Sequence, residues 1–255
     1  MALDLRTRFG PAGDEPRPWM TGDFVFSPND FPSLREFRIE HEEVDLLESA
    51  LAVERRVFLS HGSDTLRIEF ALCLQGFGAA VSLLFQRAAA FQREPPEQAV
   101  VDLARTHGVG DVGIAWPWGE RHGEAAFVRH NVMVFLHGRH DTLLQQAREL
   151  DAALSRQTTA SSHSPLAEAL FAGAESLAVA AGGRIDLGVP SLRGAKHFFM
   201  ATGGSVNIDP SDTTRYYYRA GLKPGVHVIE AYRVGRGLHP AHQTIRVTIS
   251  EASGS

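Results

Sequence analysis

Apolar and polar positions follow two alternating rhythms, and from residue 38 a strand–turn–strand–helix pattern occurs twice. Residues 51–59 read as a strand, and His61-Gly62-Ser63-Asp64 as a turn by its glycine and Asx chemistry. Leu66, Ile68, Phe70 and Leu72 then alternate with Arg67, Glu69 and Ala71, the period-two signature of a half-buried strand. Ala79, Val81, Leu83, Phe85, Ala89 and Ala90 predict a mostly apolar helix that stops before Pro95-Pro96. In the second copy, residues 112–116 form a strand, 117–123 a loop and 127–136 one long strand. A turn at 137–140 leads to Asp141, whose carboxylate suits a helix N-cap. Leu143, Leu144, Ala147, Leu150, Ala153 and Leu154 follow at helical spacing. A shorter helix is expected over 97–106. Hairpins joined to helices in this way predict an α+β domain, an antiparallel sheet with covering helices built from a doubled strand-strand-helix unit.

The flanks differ. Residues 10–36 hold five prolines (Pro11, Pro16, Pro18, Pro28 and Pro32), which break helices and central strands. Residues 1–37 therefore read as an N-terminal arm, with Trp19, Phe24, Phe26 and Phe31 able to pin it to a surface. After the α+β domain at 38–157, residues 158–165 are a polar linker. A short helix is expected at 166–172. Short β-rich runs then recur at 177–180, 184–187, 197–201, 205–208, 215–219, 226–232 and 244–249, separated by glycine or proline turns. Such spacing predicts a β-sandwich domain over 166–255.

Composition narrows the classes. With 44% hydrophobic and 22% charged residues the chain is ordinary and globular. A net charge of −5 speaks against a nucleic-acid partner, which needs a basic face. No apolar stretch approaches the roughly 20 residues of a membrane span. The start, Met1-Ala2-Leu3-Asp4-Leu5-Arg6, lacks a secretory pattern. A cytoplasmic location without membrane contact is expected. The single cysteine, Cys73, sits in an apolar run and reads as a buried structural thiol.

Candidate chemistry centres on the second copy. Glu120, Arg121 and His122 lie in a loop beside Trp116 and Trp118, and tryptophan with arginine carries much of the binding energy where they meet a partner. Arg129, His130 and Asn131 interrupt the apolar run 127–136, so they lie at an exposed strand end or line a cleft, since a buried polar group must be hydrogen-bonded. Twelve histidines raise the question of a metal. His137 and His140 flank a turn, and loop proximity would add His122 as a third ligand, but no HExxH run, Cys/His cluster or paired carboxylate accompanies them. His239 and His242 repeat the spacing and read as turn residues. Gly108-Val109-Gly110 and Gly203-Gly204-Ser205 lack the phosphate-binding signatures and read as turns. Ser60-His61 and Ser162-His163-Ser164 form no triad, and no nucleophile elbow is present.

The stretches 65–73 and 127–136, each with its following helix, resemble PsbP/Mog1-like α+β domains over 38–157. Lys223-Pro224-Gly225-Val226-His227 with the strand after it, and the strand 244–249, resemble the last strands of a bacterial immunoglobulin-like domain. The combination is similar in architecture to the peptide-binding proteins of crocagin-type ribosomal peptide biosynthesis. These resemblances imply an accessory protein that holds a peptide or protein segment, such as a precursor undergoing modification, with no cofactor. The expected contacts are Trp116, Trp118, Arg121, His122 and Arg129. Two alternatives stand beside this: a metal-assisted enzyme using His122, His137 and His140, and a scaffold that forms a homodimer.

Overall fold

The computed structural model describes residues 9–10, 19–20, 26–47, 51–91, 100–118, 122–157, 159–160, 170–171, 176–190, 192–235 and 241–251. The chain divides into two compact units, Met1–His163 and Ser164–Ser255.

The first unit is built on one antiparallel sheet. Its strands are β2 (Arg38–Leu47), β3 (Ala52–His61), β4 (Asp64–Cys73), β5 (Val101–Asp102), β6 (Val112–Trp118), β7 (His122–Arg129) and β8 (Val132–Arg139). They lie in the order β2-β3-β4-β8-β7-β6-β5. Helices α1 (Phe77–Phe91), α2 (Leu103–His107) and α3 (His140–Ser155) complete it. A two-stranded ribbon pairs β1 (Trp19–Met20) with β9 (Thr159–Ala160).

Period-two alternation assigns each strand residue to a face. On one face Val57, Leu59, Leu66, Ile68, Phe70, Phe127, Val134 and Leu136 pack against Leu143, Ala147, Leu150 and Leu154 of α3. Phe26 and Phe31 enter this core and stack at 5.5 Å, so the proline-bearing stretch is part of the domain there. On the other face Ala71, Cys73, Ile114, Ala126, Val128, Met133 and Phe135 pack under Ala80, Val81, Leu84 and Ala88 of α1.

The expectation of an α+β class is overturned. Strands hold 56% of the described residues and helices 20%. Two stretches contribute to the excess of strand, beside strands that run longer than their sequence signals. Residues 38–47 form the edge strand β2, whose glutamates conceal its pattern. Residues 127–136 are two strands joined by a tight turn at His130-Asn131. The helices are also too few to cover the sheet. α1 packs on β4, β7 and β8, α3 on β7 and β8, and α2 has only five residues.

The turn at His130-Asn131 explains why the apolar run bends. His130 adopts a φ of 57°, and the carboxylate of Asp111 accepts its backbone N–H at 3.1 Å. Asp111 also pairs with Arg129, which makes a two-pronged bond to Asp151 of α3 at 2.7 Å on each arm. These acids keep the Arg129 guanidinium charged above its ordinary range, with the Asp151 hydrogen bond the main cause. Asn131 is 1% exposed. Its side chain accepts the N–H of Met20 at 2.7 Å and donates to the Cys73 carbonyl at 3.2 Å. It thereby extends the β4–β8 ladder and holds β1 in place.

The second unit has a four-stranded sheet and a three-stranded sheet. The first runs β10 (Ser176–Ala180), β16 (Ala241–Ser250), β15 (Gly225–Gly235), β12 (Ala195–Ala201), with β10 parallel to β16. The second runs β11 (Arg184–Leu187), β14 (Asp212–Ala220), β13 (Gly204–Asp209). Leu187 and Tyr218 from the smaller sheet share a core with Ile229, Ala231, Ile245 and Val247 from the larger. The consecutive Tyr216, Tyr217 and Tyr218 of β14 divide by face. Tyr218 is fully buried, while the outward Tyr217 ring lies 3.9 Å from the Arg184 guanidinium carbon. Leu170 and Phe171 are buried in this core, and both donate their N–H to Gln243. The rest of the helix expected at 166–172 lies outside the described residues. No helix of the described residues is long and apolar enough to cross a membrane.

His130 supplies a stability test. A left-handed backbone costs a residue with a Cβ roughly 1 kcal/mol, and its Nε2 is buried without a hydrogen-bond partner. Burial lowers its pKa, with the Asp111 charge working in the opposite direction. The unfolded chain therefore takes up the proton first as pH falls through about 6.5. The neutral ring's contribution is complete above that pH and is lost below it. His130→Gly should raise stability at neutral pH by about 1 kcal/mol and flatten the decline in acid. Urea melts at several pH values check this, and a less stable variant with an unchanged acid slope would contradict it.

Candidate functional site

Sheet register converts scattered residues into rows across the α1 face. One row reads Asp45, Glu54, Ala71, Met133, Val128 and Val112 across six strands. The next reads Glu43, Arg56, Glu69, Phe135, Ala126 and Ile114. The apolar members of both belong to the core under α1. The third row is different in kind: His41, Phe58, Arg67, His137, Glu124 and Trp116. His122, paired with Arg139 and Trp118, continues this polar and aromatic end of the face.

Contacts bind the row together. His137 Nδ1 lies 3.1 Å from the buried Glu124 carboxylate. The rings of His122 and His137 stack with centroids 6.2 Å apart and planes 15° from parallel. The Arg67 guanidinium lies 5.8 Å from the centre of the Phe58 ring, and His41 flanks the same ring at 5.9 Å. The Trp116 ring sits 6.4 Å from Phe135, at the boundary with the core. Phe58, Arg67, Trp116 and His137 are half-exposed, and His41 and His122 are exposed.

Behind the row lies an ion-pair network that supports the sheet. Glu69 is 1% exposed and pairs with Arg67 and, at 3.3 Å, with Arg87 of α1. Arg87 also pairs with the buried Glu54. Arg56 lies 3.4 Å from Glu54 and 3.3 Å from Glu43. Buried carboxylates need such partners, since an uncompensated one would be protonated or destabilising. The helix is thus attached to β3 and β4 by charge where its apolar contact ends.

The sequence-derived contacts divide unevenly. Trp116 and His122 belong to the polar end of the α1 face. The backbone of Trp118 pairs with His122, while the Trp118 side chain and all of Arg121 lie outside the described residues. Arg129 stands at the far end of β7, committed to Asp111 and Asp151. His137 meets His122, but His140 does not join them. His140 lies against Gly123, where an added Cβ would point toward His140 and Leu143 of α3, so it belongs to the opposite face. Among the described residues no group of three His, Cys, Asp or Glu side chains is placed to hold a metal ion. His239 lies outside the described residues, and His242 pairs with Glu230 and stacks on Tyr232 at 4.7 Å. His41, Phe58, Arg67 and Glu124 were not singled out from sequence. Each is one polar or aromatic residue in its own strand, and only the register makes them neighbours.

The arrangement gathers several kinds of contact group. It offers aromatic faces, a guanidinium and two imidazoles, one of them oriented by a carboxylate. Cys73 stands apart from this group. It lies under α1, three positions along β4's face from Arg67, and burial pushes its thiol up to about 12.

No protein-family model matches the chain, and no curated protein matches it. A solved structure from Saccharophagus degradans, described as a nucleoside hydrolase-related hypothetical protein associated with carbohydrate metabolism, is similar to part of it. The identity is 17%, over 31% of this chain and 22% of that one, with a TM-score of 0.20. This chain therefore spans less than a quarter of that protein's length, and a likeness of this size carries no argument about fold or function.

The thiol provides a check on the site's chemistry. Native protein at about pH 8 should resist iodoacetamide at Cys73, because only the thiolate reacts, and denatured protein should be alkylated stoichiometrically. Rapid labelling of the native chain would make Cys73 a candidate nucleophile.

Proposed function

We propose that the protein is a binding or accessory protein that holds a peptide or protein segment on the polar end of the α1 face. The observation that carries this reading is the third row, which gathers Phe58, Arg67, His137 and Trp116 into one half-exposed strip beside His122. Rigid aromatic rings and charged groups in one strip are what peptide recognition uses. A segment with aromatic and acidic side chains fits the rings and the three nitrogen-bearing groups.

Docking on the face is favoured over strand addition at a sheet edge. Strand addition needs a run of free backbone donors and acceptors. At one end of the sheet the edge strand β5 has only two residues, and the stretch of β6 that it leaves open carries Pro117, which has no N–H to donate. The β2 edge carries Glu40, Glu42, Glu43 and Asp45, a charged edge of the kind that discourages pairing. Among the described residues His140 does not join His122 and His137 in a group able to hold a metal ion, so the metal-assisted reading has less support.

A second reading, a self-associating scaffold, draws on Leu222 and Val226. They are 83% and 70% exposed in the second unit, near each other in sequence. Light scattering decides this reading: a Leu222→Ser, Val226→Ser double variant should have a lower mass than the parent if the reading holds, and the same mass if it does not.

For the leading reading, fluorescence anisotropy against a displayed peptide panel should find ligands enriched in aromatic and acidic residues. Arg67→Ala, His122→Ala and Trp116→Ala should each weaken the best of them by about tenfold, or about 1.4 kcal/mol. Full affinity in all three variants would remove the row from consideration.

A further inference from the structure

The outward face of the larger sheet in the second unit gathers aromatic rings around one carboxylate. In β15 the core residues Ile229 and Ala231 alternate with Glu230 and Tyr232, which therefore point away from the core. Directly paired residues share a face. Register thus sets Phe198, Tyr232 and His242 side by side across β12, β15 and β16, with Met200, Glu230 and Thr244 in the next row. Tyr232 is 5% exposed and forms the floor, while Phe198, Met200, Glu230 and His242 are half-exposed. The His242 ring stacks on Tyr232 with centroids 4.7 Å apart and planes 22° from parallel.

The carboxylate is half used. Glu230 Oε2 accepts a hydrogen bond from His242 Nε2 and one from the Thr244 hydroxyl at 2.8 Å. Two donors on one oxygen fix the group in place. Glu230 Oε1 has no hydrogen-bond partner among the described residues, and it stays open to solvent, unlike the chain's buried unpartnered acceptors. Arg246, two positions beyond Thr244 on β16, shares this face and forms no ion pair with Glu230. Burial, and after it the Glu230 charge, push the Tyr232 phenol above its ordinary range, so the phenol adds no second anion. A fixed carboxylate with one oxygen free, among rings whose faces attract cations, specifies a positively charged ligand. A guanidinium meets both demands, because it donates in its plane and stacks on rings, whereas an ammonium holds its water more strongly.

We infer that this face binds an arginine side chain of a peptide or protein partner, which donates guanidinium N–H groups to Glu230 Oε1 and lays its plane against the rings beside it. Small-molecule sites are concave, and this cluster lies on a sheet face, so the arginine is one presented by a larger partner. The site uses different residues from the row in the first unit and does not rest on that reading.

Imidazole resonances of the full chain, titrated with acetyl-Gly-Arg-Gly-amide, test it. His242 should shift saturably while His122 and His137 stay where they are. The citrulline analogue, nearly the same shape without the charge, should bind about tenfold more weakly. Glu230→Gln keeps an acceptor for Thr244 and removes the charge, and it should cost the arginine peptide a similar factor. Phe198→Leu should cost it about threefold. The citrulline comparison is made on the parent chain, so it decides even where a variant fails to fold. Free arginine should bind more weakly than the peptide, and equal or tighter binding would overturn the assignment to a presented side chain. No saturable shift at His242, equal binding of the arginine and citrulline peptides, or full affinity in a folded Glu230→Gln variant would each overturn the inference.

Discussion

The antiparallel pairing of β4 with β8 is the constraint on which the first unit rests. It joins two hairpins far apart in sequence, and it sets Arg67 opposite His137 and Ala71 opposite Met133. Because side chains alternate along a strand, a slip of one residue would exchange the two faces of every strand beyond the slip. The α1 core would lose Phe135 and Met133, and the polar row would break in the middle. Asn131 guards this register. Its backbone carbonyl accepts the Cys73 N–H at 2.8 Å, and its side-chain amide returns a bond to the Cys73 carbonyl. The tight turn that puts Asn131 there is held in turn by Asp111 and Arg129, and Asp151 ties it to α3.

Charge is distributed over the α1 face by the same logic. Where the helix packs, the rows are apolar. Where its contact ends, Glu54 and Glu69 are buried against Arg87, and beyond them lie the half-exposed rings and cations. Buried ion pairs add little net stability but make the removal of one partner expensive, so they fix position more than they add strength. Arg87 therefore anchors the helix at the border of the row, and the row inherits a rigid floor. Rigidity of this kind lowers the entropic cost of holding a ligand.

Much of the architecture was readable from sequence, and the misreadings have physical causes. Alternation in Leu66, Ile68, Phe70 and Leu72 identified β4 because its α3 face is apolar while Arg67 and Glu69, paired with each other, stand between them on the α1 face. The β3–β4 turn announced itself through Gly62, whose positive φ any other residue would resist. The β7–β8 turn gave no such signal, because a histidine occupies the left-handed position and tertiary ion pairs hold it there. The edge strand β2 was hidden by its acids, which pair with Arg55 and Arg56 on β3. For the site, Trp116 and His122 drew notice because tryptophan, arginine and histidine crowd one loop. Arg129, a cation in an apolar run, is paired with Asp111 and Asp151 at the far end of β7 from His122. Arg67, Phe58 and Glu124 could not be grouped without the register.

The central claim is that ligand recognition takes place on the polar end of the α1 face and not at the sheet edges. Imidazole resonances in a histidine-labelled sample read this directly, since the chain's histidines report from both faces and both units. Titration with a bound peptide should shift His122 and His137 and leave His130, His140 and His227 where they were. Shifts confined to histidines outside the row, with His122 and His137 unmoved at saturation, would contradict the account.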